Sequence, residues 1–331
     1  MVWPLTFPRL GRLLLWTSIG AFALAANGSR AQGWPTGPVS IIVPSSPGSG
    51  PDVLARSLGE RLAAATQSTI IVENKPGANG VIGTAAVANA PPNGAALLLY
   101  DRLTLTVNPA LLAKLPYHPK DLVGVTDVAS VDLVFVCRAN APYKTWDEML
   151  AFARSKAGAL TVGTAGIGSV HHLSLELIKR HYGIGMVDVP YRGIAPAVAG
   201  LLSGELGCVI TGQETVLEHI RSGRLRALAI GAARRSPLLP DVPTLREVGA
   251  PDDLLIPTHF TLFVHAATPR GTVERMQEKV AEALRNRALI DRFAERGLIV
   301  APSSPDQVAQ AMAQEQERFT KLIRDAGIKM E

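Results

Sequence analysis

The sequence predicts an α/β protein of two lobes, and three observations carry that prediction. Short β-branched or apolar runs alternate with helical periodicities along most of the chain, the pattern of a mostly parallel sheet covered on both faces by helices. A strand, a Gly-x-Gly turn and a helix follow one another twice, at Gly48-Ser49-Gly50 and at Gly166-Ile167-Gly168, about one lobe's length apart. At 331 residues a single buried core is near its practical limit, and a chain of that size needs no disulfide or metal staple. A composition 47% hydrophobic and 18% charged excludes a disordered chain and a coiled coil.

In chain order, residues 1–31 read as a secretory signal. Arg9 and Arg12 precede an apolar run from Leu13 to Ala26, and Ser29-Arg30-Ala31 places small residues where a signal peptidase reads them. Cleavage is expected near Ala31, and the apolar run is short of the roughly 20 residues a spanning helix needs. Loss of Arg9, Arg12 and Arg30 takes the formal charge from +5 to +2. With 5% aromatic residues and no basic run beyond pairs such as Arg234-Arg235, the sequence offers nucleic acid neither a stacking platform nor a phosphate-tracking stripe.

Val39 to Val43 (VSIIV) is a buried strand by length and composition. It runs through turn-forming residues, Ser45 to Asp52, into a helix with Leu54, Leu58 and Leu62 on one face and Pro51 in its first turn. A strand from Thr69 to Val72 enters the loop Glu73 to Gly80, an Ala-rich helix follows, and Leu97 to Tyr100 is a third strand. The series restarts with a strand from Leu133 to Cys137, a helix from Thr145, a strand from Leu160 to Thr164, and a helix with Ser169 as N-cap and Val170, Leu173 and Leu177 on one face. Strands at Met186 to Pro190, Cys208 to Thr211 and Leu225 to Ile230 continue it. A return strand, Phe260 to His265, precedes two amphipathic helices. The first carries Val273, Met276, Val280 and Leu284, and the second opens on the capping box Ser304-Pro305-Asp306-Gln307.

A glycine turn that delivers a strand into a helix start gathers free backbone N–H groups and the positive end of a helix dipole, which favours anions. Neither turn fits a nucleotide fingerprint, because the third glycine of the dinucleotide pattern is missing and no Gly-Lys-Ser/Thr loop exists. No cofactor is expected. No metal is expected either: His171 and His172 are adjacent, so on a helix they point about 100° apart. Gly168-Ser169-Val170-His171 is not a nucleophile elbow, and the N-cap role already accounts for the serine. Asp52 is expected to turn into its own helix start. Cys137 and Cys208 sit in apolar runs of an exported chain, so a bridge and two buried thiols are both open.

Several motifs in fixed order resemble the Bug/TctC family, the extracytoplasmic solute receptors of tripartite tricarboxylate transporters. They are Val43-Pro44 with Gly48 to Asp52, Val72 to Gly83, Asn108-Pro109-Ala110-Leu111, Gly168 to Leu173, Pro190-Tyr191-Arg192-Gly193, and Leu239 to Thr244. The resemblance covers residues 34–331. It implies a type II periplasmic-binding-protein fold whose two lobes close on a small organic anion, commonly a carboxylate, held largely by backbone N–H groups, hydroxyls and water. Carried over, the ligand turns are Ser45, Ser46, Gly48, Ser49 and Gly50 in the first lobe and Thr164, Ala165, Gly166, Gly168 and Ser169 in the second. Asn79, Thr104, Tyr191, Arg192 and Thr211 complete the expected site.

The fresh series of strands after Ser130 and the return at Phe260 place the first lobe at residues 32–130 plus 260–331 and the second at 131–259. The resemblance further implies a periplasmic, monomeric, non-enzymatic protein whose partners are membrane transporter subunits of the tripartite tricarboxylate type. The alternative is a sensing protein that presents its solute to a membrane kinase or chemoreceptor. Departures from the family pattern fall at Ser45-Ser46, at Ser49 between the glycines, at Asp101-Arg102, and at Thr211, where an acidic residue is usual.

Overall fold

Two sheets organise the chain, and the first takes strands from both of its ends. β1 (Val39–Val43), β2 (Ile70–Asn74) and β3 (Ala96–Asp101) alternate with α1 (Gly50–Thr66), α2 (Val81–Ala88) and α3 (Arg102–Leu111), and β4 (Leu122–Val131) follows. The second sheet holds β5 (Leu133–Arg138), β6 (Thr161–Thr164), β7 (Val187–Pro190), β8 (Cys208–Gly212) and β9 (Leu225–Ile230). Interleaved with them are α4 (Trp146–Ser155), α5 (Val170–Tyr182), α6 (Ile194–Ser203) and α7 (Gln213–Arg221). The chain returns through β10 (Thr258–His265), α8 (Arg270–Leu284), α9 (Arg287–Ala294), β11 (Leu298–Val300) and α10 (Pro305–Asp325). This computed structural model describes residues 1–3, 33–156 and 158–329, so nearly all of the expected leader lies outside the described residues.

The strand orders are β11-β4-β10-β3-β1-β2 and β7-β6-β8-β5-β9. Both sheets are mixed, where the sequence suggested mostly parallel ones. β1 runs parallel to β2 and β3, and β6 to β7 and β8, but β10 is antiparallel to β3 and β4, β11 to β4, and β5 to β8 and β9. The antiparallel pairings belong to the strands beside the crossings between sheets, β4, β5 and β10, which no helical crossover constrains to run parallel. After β10 there are three helices rather than two, because the eight-residue α9 stands between the expected pair.

Each sheet buries apolar rows on both faces. Leu54, Leu58 and Leu62 of α1 lie with Val39, Ile41, Leu97 and Leu99, all fully buried. One cluster ignores the division between sheets. Leu103, Val107 and Leu111 of α3 and Phe319 and Ile323 of α10 join Phe135, Trp146, Leu173 and Ile210 of the second sheet's layer. The start of α10 lies elsewhere: Val308 is buried with Ile42, Leu98 and Phe263 of the first sheet's layer.

Cys137 and Cys208 stand directly opposite one another on β5 and β8 and are free, buried thiols. Cys208 Sγ lies 3.3 Å from Tyr143 Oη, and burial pushes the Cys137 thiol up to about 11. Among the described residues no helix is long and apolar enough to cross a membrane, and no group of His, Cys, Asp and Glu side chains could hold a metal ion.

Candidate functional site

Parallel pairing sets the site. Because β1 and β3 run the same way, Val43 and Asp101 end at one edge of the first sheet, where α1 and α3 begin. Because β6 and β8 run the same way, Thr164 and Gly212 end at one edge of the second, where α5 and α7 begin. One contact joins helix starts across the two sheets, a Cβ built on Gly50 lying 3.2 Å from Glu214 Oε1, while a Cβ on Gly168 would collide with Leu111, the last residue of α3. The N-termini of α1 and α7 therefore meet from two sheets, at the carboxyl edges where open α/β sheets bind ligands.

The first turn is braced by Asp52, which is 2% exposed and turned into its own helix start. Its carboxylate accepts hydrogen bonds from Gly48 N at 2.8 Å, Asn74 Nδ2 at 2.9 Å and Arg56 Nε at 3.1 Å. Burial pushes the carboxyl up, but the bonds from Arg56, Gly48 and Asn74 outweigh it and hold the group below its ordinary range. Asn74 also donates to Ser45 O (3.1 Å), and the Ser45 and Ser49 hydroxyls share a 2.8 Å hydrogen bond.

The second turn is braced by a buried histidine. Ser169 caps α5, its Oγ accepting from His172 N at 3.3 Å and donating to Gly166 O at 2.7 Å. Gly168 N donates to His172 Nδ1 at 3.2 Å, while His172 Nε2 lies 3.7 Å from Asp188 Oδ2. Thr164 Oγ1 holds the other Asp188 oxygen at 2.8 Å. Burial lowers His172 and raises Asp188, so the ring is neutral and accepts from the turn. Burial alone pushes neighbouring His171 down to about 4. The two glycine N–H groups that best matched an anion site in the sequence, Gly48 and Gly168, are thus both bonded within the chain.

The remaining expected residues divide. The Asn79 amide donates to Asn108 Oδ1 (2.9 Å) and its carbonyl accepts from Asn108 Nδ2 (3.2 Å), which fastens the loop before α2 to α3. Thr104 bonds Asp101, the N-cap of α3, which also accepts from Leu103 N and Thr104 N and is pushed up to about 6, chiefly by burial. Thr211 Oγ1 donates to Gly212 O at 3.4 Å. Tyr191 N donates to Thr164 O (3.0 Å) and its hydroxyl to Glu205 (3.3 Å), so this residue ties β7 to the second turn. Arg192 is exposed. Arg102 turns away to a buried double ion pair, 2.8 Å from Asp127 and 2.7 Å from Glu315.

Side chains cap two of the four helix starts, α3 through Asp101 and α5 through Ser169. The other two, α1 with Ser49 and α7 with Gly212 at the N-cap, have no side-chain cap. These are the pair that meet at Gly50 and Glu214. Sequence reading missed Glu214, although strand, glycine and helix succeed one another at Gly212 as they do at the two Gly-x-Gly turns.

A family model described as the tripartite tricarboxylate transporter family receptor matches residues 54–328. The chain belongs to that receptor family. BugT of Bordetella pertussis (strain Tohama I) is 35% identical over 302 residues, covering 91% of this chain and 92% of BugT. Two solved structures from Rhodopseudomonas palustris superpose along nearly the whole molecule. MatC with bound malate has a TM-score of 0.81 at 28% identity, covering 88% of this chain and 100% of that one. Rpa4515 with adipate has a TM-score of 0.83 at 28% identity, covering 89% and 99%. The receptor therefore has the two-lobed α/β fold of TctC/Bug periplasmic binding proteins, and receptors of this family are periplasmic.

Proposed function

We propose that this receptor captures a small organic carboxylate between residues 32–130 plus 260–331 on one side and residues 131–259 on the other, then delivers it to membrane subunits of a tripartite tricarboxylate-type transporter. The observation that carries this reading is the pair of helix starts without side-chain caps, α1 and α7, facing each other from opposite sheets. First-turn amides have no intrahelical partner, although Pro51 has no N–H and Gln213 N already donates to Asp132 O at 3.2 Å, and each dipole contributes about half a positive charge at the N-terminus. Malate in MatC and adipate in Rpa4515 support a carboxylate as the ligand class. Ser45, Ser46, Ser49 and Gly50 on one side and Ala165, Gly166 and Ser169 on the other are the contacts proposed around it, with Arg192 at the rim. Thr104, Thr164, Thr211 and Asn79 act behind them by holding the turns in place.

Calorimetry on a dicarboxylate such as adipate and on its monoamide tests this. The amide keeps an acceptor oxygen but turns N–H hydrogens toward donors, so binding is expected to weaken by about 1.5–3 kcal/mol, the scale of a hydrogen bond to a charged group. That is roughly tenfold or more in affinity. Equal affinities would remove the carboxylate from the reading and leave the fold standing.

The receptor is further proposed to reach the periplasm through the leader at residues 1–31 and to act as a monomer. Intact-mass measurement on periplasmic protein is expected to find a chain beginning at Gln32. A chain still carrying Met1 would contradict the assigned cleavage.

A further inference from the structure

Glu214 is the side chain at the meeting of the two uncapped helix starts. Its carboxyl lies over Gly212, where a Cβ would collide with it, and reaches across to Gly50 of the other sheet's first helix. Two positions without Cβ atoms, one on each side, thus make its space. Oε1 accepts from the Thr215 hydroxyl at 3.1 Å, while Oε2 is buried and has no hydrogen-bond partner among the described residues. A buried carboxyl oxygen without a partner is costly if it carries charge. An ionised carboxylate here would also repel the anion proposed for the same gap.

We infer that the Glu214 carboxyl binds the solute's carboxylate as a proton-sharing pair, so that above neutral pH capture of the anion takes up one proton from solvent. The inference rests on the carboxylate reading above. As an acid, Glu214 donates O–H to the ligand oxygen, and Oε2 gains the partner it lacks. The pair then carries one net negative charge, which two helix starts of about half a positive charge each can balance. Burial acts in the same direction, pushing the Glu214 carboxyl up to about 7 against the opposing pull of its own N–H and the Thr215 hydroxyl.

Of the ionisable groups on the surrounding elements, Asp132, whose carbonyl accepts from Gln213 N at 3.2 Å and whose carboxyl burial pushes up, stays in place in Glu214→Gln and is reported by that variant. So is His219 of α7, which is bonded to Arg224; the others are committed elsewhere. On α1, Asp52 is folded back on Gly48 and Arg56. On α3, Asp101 caps its own helix. On α7, Glu218 and Arg221 pair with each other in solvent. On β9, Arg226 lies opposite Cys137, at the Cys208 end of β8 and a strand's length from Gly212. The other ionisable group on β8 is the buried Cys208 thiol.

Calorimetric titration with malate and adipate from pH 5.5 to 8.5, on the full mature chain and on Glu214→Gln, tests the linkage. Wild-type affinity is expected to fall about tenfold per pH unit above pH 7, the slope of one linked proton. The near-isosteric amide donates N–H at every pH, so the variant should change less than twofold while reporting any ionisation of the ligand itself. A flat wild-type profile, or an equal slope in the variant, overturns this inference and leaves the carboxylate reading in place. Failure of both probes to bind wild type at any pH overturns the carboxylate reading and this inference with it.

Thermal melting without ligand supplies an independent check on the variant's fold. A carboxyl whose folded pKa is raised loses stability as pH climbs from about 4.3, its unfolded value, to about 7. The variant's melting temperature should therefore match wild type near pH 4 and exceed it by a widening margin up to pH 7.5. A constant difference would show that Glu214 does not hold its proton in the gap, and the inference would fall.

Discussion

Replacing Arg102 by Met should cost about 3–5 kcal/mol of stability at neutral pH, the usual cost of removing one partner from a buried ion pair. The Arg102 side chain is 6% exposed and serves two carboxylates at once, Asp127 at 16% and Glu315 at 17%. Methionine fills much of the same volume and packs adaptably, so the loss comes from charge rather than from a cavity. Burial already pushes Glu315 up, and the Arg102 bonds and charge oppose that push. Without them the Glu315 carboxyl rises further above its unfolded value, so the variant's deficit should widen as pH climbs through and above the carboxylate range and narrow toward pH 5. Urea unfolding of both proteins at pH 5 and pH 7.5 measures this. An equal loss at both values would mean that packing, not charge, sets the cost.

Gly168→Ala is expected to cost about 1–3 kcal/mol for placing a side chain at a left-handed backbone position, the glycine having φ +78°. A further cost follows from collision with Leu111, which reaches the turn from the first sheet's helix α3. Affinity for the solute should fall with it, since the added methyl pushes apart two surfaces that must meet. The two terms separate in a double-mutant cycle. Leu111 is 3% exposed, so Leu111→Ala alone removes buried apolar volume at about 2–5 kcal/mol. In that background Gly168→Ala should cost only the backbone strain, and the two losses should sum to more than the double variant's. Strict additivity in chemical denaturation would deny that the methyl meets Leu111.

Much of this architecture is legible in the residues because local chemistry and burial agree there. VSIIV is β1 from end to end, Ser169 and the Ser304 capping box open helices as read, and Pro51 sits in the first turn of α1. What escaped reading depends on partners distant in sequence. In β4, Gly124, Asp127 and Ser130 interrupt the apolar pattern, yet the strand stands between β10 and β11 because Asp127 is neutralised by Arg102. The segment of α3 contains Arg102, Thr104, Thr106, Asn108 and Pro109, which carry no clear helical periodicity. It is helical because Asp101 caps it and Glu315 of α10 receives its arginine. β11, three residues long, has too little pattern to recognise.

The site divides in the same way. Both glycine turns could be found because paired glycines between a strand and a helix mark a backbone that must turn tightly. Which N–H groups those turns leave over could not be read, because Asp52 and His172 claim them through the fold. Glu214 looks like any exposed helical glutamate until Gly50 is brought against it.

The cluster that joins α3, the end of α10 and the second sheet bears on how the molecule comes apart. Leu103, Val107, Leu111, Phe319 and Ile323 are each 3% exposed or less and are shared between layers that the chain order would separate. Neither half can melt without uncovering apolar surface belonging to the other, so the two halves form one cooperative unit rather than two beads on a string. Any motion that admits a solute under the proposed function is therefore smaller than a separation of bodies. Under the proposed function it slides along or flexes that shared seam, which α10 spans from Val308 in the first sheet's layer to Ile323 in the shared cluster.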